Sequence, residues 1–310
     1  MGNENSKSNN KVKGIILSIL PFVYALLIQI TVILVGSIVY GMVLGLQFAI
    51  EGMSPEEIAI LSSEKVQSGT FLLGISALSA LVWIVVYGIW YKRSYVKKRK
   101  IDIKKIFSLK SLIWITLLGL GLQFSVTMIL TFVMSLAPDF FKSYEEVMNT
   151  LGMGNSLLSF VYIVLIAPVA EELIFRGVIF EKSKKVLPFV YANILQALLF
   201  GLMHFNLVQS SYAFVLGLFL GFICYKKKSL LASIYLHFVI NLAGVLPNIL
   251  FASENDSQST VYVPFMIIVA IISTVIVVIS TIQIKKDKCD NEEIIHEHLE
   301  VSNGSETIDL

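Results

Sequence analysis

The stretch Ser156-Leu157-Leu158-Ser159-Phe160-Val161-Tyr162-Ile163-Val164-Leu165-Ile166-Ala167-Pro168-Val169-Ala170-Glu171-Glu172-Leu173-Ile174-Phe175-Arg176-Gly177-Val178-Ile179-Phe180 (156–180) decides the fold. It is long enough to cross a bilayer: about 30 Å of hydrocarbon takes about 20 largely apolar residues as a helix. Yet it holds two glutamates and an arginine near its middle. Apolar runs of the same kind recur at 14–38, 69–91, 111–136, 188–206, 210–225, 229–251 and 262–284. They are continuous rather than alternating, and only helices or closed barrels satisfy every backbone group in lipid. The expected fold is an all-α polytopic bundle of about eight transmembrane helices.

Composition agrees. Of 310 residues, 56% are hydrophobic and 15% charged, and the mean hydropathy is +0.79. Soluble domains have about 45–50% apolar and about 25% charged residues. Lipid must therefore solvate much of this chain, in the cell membrane as a multi-pass protein. The net charge of +2 is spread over short loops, which argues against nucleic acid as a partner. Cys224 and Cys289 offer neither a disulfide framework nor zinc-ribbon spacing. There is no phosphate loop, dinucleotide turn or nucleotide-binding domain, which excludes a transport ATPase.

Loop charge predicts orientation. Three basic residues precede the first span and nine lie between Lys92 and Lys110. Three more fall in each of 182–185, 226–228 and 285–288, making 21 of the 24 Lys and Arg. The alternate loops hold only Lys65 and Lys142, and Arg176 lies within a span. This asymmetry puts both termini in the cytoplasm. The expected organisation is a cytoplasmic segment 1–13, N-terminal transmembrane helices 14–154, a catalytic core 155–251, a last span 252–284 and a disordered acidic tail 285–310. The outer segments 51–67, 138–154 and 252–261 read as acidic, polar loops.

An ionisable group inside a membrane costs at least about 2.5–3.5 kcal/mol on insertion scales, so each asks for a partner and a reason. Glu171, Glu172, Arg176, His204, His237 and Asn241 are the groups at issue. Glu172 and Arg176 are four apart and share a helix face, which predicts a charge-assisted pair. Glu171 is turned about 100° away and must look into the bundle. His237 and Asn241 share a face, and so do Phe200 and His204. Three spans can thus aim a carboxylate, two imidazoles and an amide at one cavity, expected to open toward the cytoplasmic half. His296 and His298 fall in the tail and read as solvated.

At these residues the chain resembles the CAAX protease and bacteriocin-processing family, also called the Abi or type II CAAX prenyl endopeptidase family. The resemblance lies in Glu171-Glu172 with Arg176, Phe200 with His204, and His237 with Asn241, in that order, over about 155–250. It implies that Glu171 activates water with His204 as its partner. It further implies that His237 and Asn241 stabilise the oxyanion, and that Glu172, Arg176 and Phe200 support the site. A buried carboxylate beside an imidazole suits proton abstraction, and an imidazole with an amide makes a workable oxyanion hole. No metal is favoured. A zinc alternative would use Glu171, His204 and His237 as ligands, but no H-E-x-x-H run is present.

The function expected is therefore an intramembrane endopeptidase that cuts a membrane-associated protein or peptide. A catalytically silent scaffold or bacteriocin self-immunity protein is the alternative. A secondary transporter is disfavoured, because inverted repeats and paired broken helices are absent. The Lys- and Ile-rich composition points to a bacterium.

Overall fold

A computed structural model of the chain describes residues 2–95, 108–150, 156–250 and 263–286. These residues form ten helices: α1 (Gly2–Ile50), α2 (Pro55–Val66), α3 (Gly69–Ser94), α4 (Leu109–Leu136), α5 (Pro138–Thr150), α6 (Leu157–Ser183), α7 (Phe189–Leu202), α8 (Leu207–Lys226), α9 (Leu230–Leu250) and α10 (Val263–Lys286). Seven are long and apolar enough to cross a membrane. The protein is an all-α, multi-pass membrane bundle. Its apolar exterior fits lipid as solvent, with Leu34, Val85, Ile129 and Ile271 about half exposed. The tail beyond 286 and the segment 252–261 lie outside the described residues.

The expected eighth span, 188–206, is the exception. Its helix α7 has 14 residues, or about 21 Å of rise, too short for about 30 Å of hydrocarbon. It turns at Met203–Asn206 and returns as α8, with Phe205 in the left-handed region at φ 51°. The hairpin is fastened by close backbone approach and buried amides. A Cβ on Gly221 would fall 1.9 Å from Asn193 Oδ1 and 2.6 Å from Gln196 Nε2. Asn193 Nδ2 donates to the Leu218 carbonyl at 3.0 Å, and Gln196 Nε2 to that of Gly217 at 2.9 Å. Small residues and interhelical hydrogen bonds are the usual means by which helices associate in lipid.

Two outer segments expected to be loops are helical. Helix α2 begins on a capping box: Ser54 accepts from the Glu57 backbone, and the Glu57 carboxylate accepts from the Ser54 backbone. The spacing Ser54-Pro55-Glu56-Glu57 is a legible start signal. Helix α5 follows α4 after Ala137 alone.

Interhelix contacts fix the directions. Helix α1 runs antiparallel to α3 and α6. The Lys182 Nζ bonds the Leu17 carbonyl, Phe22 meets Phe175, Trp83 Nε1 donates to the Ala25 carbonyl and Tyr40 stacks on Phe71. Helix α4 lies parallel to α9, with Thr116 bonded to Tyr235 and Gly244 against Gln123. It lies antiparallel to α10, with Gly121 against Val277 and Ser125 bonded to Ser273. Leu230, at the start of α9, sits by Gly177. The start of the membrane part of α1 and the end of α10 are therefore at one end of the bundle. Lys92, Lys110, Lys182 and Lys226 share that end, called the basic end below. Helices α2 and α5 lie at the other, the lysine-poor end.

Candidate active site

Helix α6 carries the two glutamates between stretches of wider π-helical winding, at Tyr162–Ile166 and Leu173–Phe180. Such insertions recur at functional sites. The first has a local cause. The Ala167 N–H reaches back five residues to the Tyr162 carbonyl. Continued by one residue, that register would give the Ile163 carbonyl to residue 168, a proline with no N–H. Asn241 supplies the missing donor: its Nδ2 lies 2.8 Å from the Ile163 oxygen. The same repair occurs in α1, where Pro21 cannot serve Leu17 and Lys182 Nζ sits 3.2 Å from the Leu17 oxygen.

Glu172 is fully buried and accepts from three side chains: Arg176 at 2.8 Å, His237 Nδ1 at 2.9 Å and the Ser233 hydroxyl at 2.5 Å. The Glu172–Arg176 pair expected from spacing is present with both side chains at 0% exposure. Arg176 also donates to the Gly217 carbonyl at 3.1 Å, which ties α6 to the hairpin. Its guanidinium lies 4.5 Å over the Phe200 ring. The edge-on contacts of that ring reach both imidazoles, with centroid distances of 5.2 Å to His204 and 5.8 Å to His237. Phe200 thus packs against Arg176 and both histidines at once, while His237 alone of the two imidazoles bonds the ion pair directly.

The pairing fixes tautomers. Glu172 is an acceptor, so His237 Nδ1 carries a hydrogen, and its Nε2 faces Glu171 Oε2 at 3.6 Å. That gap is longer than a direct hydrogen bond but within ion-pair range. The Phe200 carbonyl accepts from His204 Nδ1 at 2.9 Å, leaving His204 Nε2 for other partners. Glu171 is one-fifth exposed, and among the described residues no Lys or Arg pairs with it, unlike Glu172. The two adjacent carboxylates are thereby split: one is locked behind the site and one is open to it.

Glu171, Phe200, His204, His237 and Asn241 line one cavity of about 340 Å³. Glu172 and Arg176 lie behind its wall. The cavity was expected to open toward the cytoplasmic half; its polar wall lies toward the lysine-poor end. Apart from the site residues, the wall includes Gln29, Ser76, Tyr162, Gln209, Tyr212 and Met148 from the middle or the lysine-poor half of their helices, with Leu220 bounding it on the basic side. On the basic side of Glu172, Ile174, Phe175, Val178, Ile179, Phe180 and Ile223 are all at 0% exposure. Sequence reasoning missed that α6 runs on to Ser183 and that packing closes the site from that end.

Zinc does not fit. Among the described residues no three His, Cys, Asp or Glu side chains are grouped as a metal-ligand set, Glu171, His204 and His237 included. Sequence reasoning also missed Ser233, Asn193 and Gln196. Each is a polar residue in an apolar span, and Ser233 lies four before His237 on the same face, so the signal was there.

Residues 153–243 match the family described as type II CAAX prenyl endopeptidase, Rce1-like. The matched segment begins before α6 and ends two residues past Asn241, and so contains the whole charged cluster. No curated protein and no solved structure matches the chain.

Proposed function

We propose that this chain, whose segment 153–243 belongs to the CAAX protease family, is an intramembrane endopeptidase that hydrolyses a peptide bond in a membrane-associated protein or peptide. The observation that carries the reading is the line Glu172–His237–Glu171. A buried, fully engaged carboxylate orients an imidazole whose outer nitrogen faces a second, part-exposed carboxylate at 3.6 Å.

In the proposed reaction Glu171 removes a proton from water as it attacks the scissile carbonyl. The oxyanion is held by Nε2–H of His237 in its doubly protonated form, with Glu172 accepting from Nδ1–H and stabilising the imidazolium. Asn241 has one Nδ2 hydrogen committed to Ile163 and one left for the oxyanion. The leaving amine takes its proton from Glu171 or through His204. Every group needed is a side chain of this chain, so the reaction is proposed to run without metal.

The test is a comparison of membrane peptidomes from cells carrying wild type and Glu171→Gln. Peptide ends present with wild type and lost in the variant, at equal protein level, are the expected outcome. Identical peptidomes would leave the silent scaffold or self-immunity role.

A further inference from the structure

The site has one dry side and one wet side. Toward the basic end it is backed by Glu172, Arg176 and a continuous layer of fully buried side chains from Ile174 through Phe180. Toward the lysine-poor end the cavity extends along polar groups from four helices: Gln29 on α1, Ser76 on α3, Tyr162 on α6 and Gln209 on α8. Met148 of α5, a helix that lies wholly at that end, completes the wall. Ser76 already bonds the Leu72 carbonyl, but amides such as those of Gln29 and Gln209 have more donors and acceptors than one neighbour can serve, and polar groups facing a cavity within a bilayer favour one filled by water or a polar ligand. Extended peptide backbone has an unpaired N–H and C=O at every residue and needs such partners.

The distribution of Lys and Arg assigns the two ends to sides of the membrane. Basic residues collect on the cytoplasmic side, and 21 of 24 are in the segments of the basic end. We infer that water and substrate reach Glu171 from the extracytoplasmic side. The substrate is then the outer, extended segment of a membrane-anchored protein or an exported peptide, and not a cytosolic tail. This deepens the endopeptidase reading and rests on it for the word substrate. The route itself rests only on packing and charge.

Accessibility decides it without an activity assay. In a full-length background with Cys224→Ser and Cys289→Ser, single cysteines are placed at Ser76 and, independently, at Gln209. Lys65→Cys reports the lysine-poor end and Lys92→Cys the basic end. A membrane-impermeant, positively charged thiol reagent is applied to intact cells and to inverted membrane vesicles. The expected result is labelling of Ser76→Cys and Gln209→Cys in intact cells, together with Lys65→Cys. Lys92→Cys should label only in inverted vesicles. Two positions on different helices guard against one variant misfolding. Labelling of both cavity positions only in inverted vesicles overturns the route, as does labelling from neither face. Outer labelling with unchanged peptidomes on Glu171→Gln overturns the protease reading instead. Inner labelling with a clear peptidome difference overturns the route and leaves the protease.

Discussion

Adjacent carboxylates on α6 point about 100° apart around the helix, and the surroundings give them opposite duties. Glu172 balances Arg176 where neither touches solvent. Removing one partner of such a pair leaves a buried charge unmatched, at a cost of about 3–5 kcal/mol. Glu172→Gln should therefore lower thermal stability and folded yield in detergent. Glu171→Gln should leave both unchanged and reduce turnover about 10²–10⁴-fold, as for loss of a general base. Equal melting points for the two variants would contradict this division. Metal removal tests the same chemistry: chelator-treated protein freed of metal should keep its rate. Loss on chelation with rescue by stoichiometric zinc would overturn the metal-free mechanism alone. At this scale much was legible, because an ionisable residue stands out in an apolar run and four-residue spacing names its neighbour. Hidden from the sequence was the second bond of each group. Nothing at Glu172 reveals that His237, 65 positions away, will take its other lone pair.

The catalytic helix is built with a defect at Pro168 and a remedy at Asn241. Pro168 leaves the Ile163 carbonyl without a helical donor, and Asn241 bonds it from α9. Asn241→Ala is expected to lose turnover by about 10²–10³ as an oxyanion donor, and to lose stability as the orphaned carbonyl is exposed. The two effects separate in a double-mutant cycle. With Pro168→Ala, residue 168 regains its N–H, so the stability loss from Asn241→Ala should shrink while the rate loss persists. Additive stability losses would show that the carbonyl is not what Asn241 serves. The α7–α8 hairpin gives a second element-scale test. Gly221→Ala drives a methyl into the Asn193–Gln196 pair and should cut folded yield, whereas Gly41→Ala, with nothing within 4 Å, should not. Most spans were readable to within a few residues, since α3, expected at 69–91, runs Gly69–Ser94, but the first, expected at 14–38, continues as helix to Ile50. Helices α2 and α5 were not, because short helices outside the bilayer have no long apolar run, and only the Ser54–Glu57 cap marks one of them.

Seven helices of full crossing length would ordinarily put the two ends of a chain on opposite sides of a membrane. The contacts here say otherwise. Lys182 bonds the Leu17 carbonyl, so α1 enters the membrane at the level where α6 leaves it. Helix α10 descends antiparallel to α4, which itself starts beside the beginning of α9. Both ends therefore share the basic end, and the short α7 with α8 counts as an out-and-back pair. Loop charge predicts that this shared side is the cytoplasm. A fluorescent reporter fused before Met1 and, in a separate strain, after Leu310 should be bright in both cases, and a periplasm-type phosphatase at either end should be inactive. Phosphatase inserted within 55–66 or 138–150 should be active. A bright reporter at one terminus and an active phosphatase at the other would mean an odd number of crossings. That result would detach α7 from the count and reverse the sidedness of the helices beyond it, the α8 and α9 walls of the cavity among them.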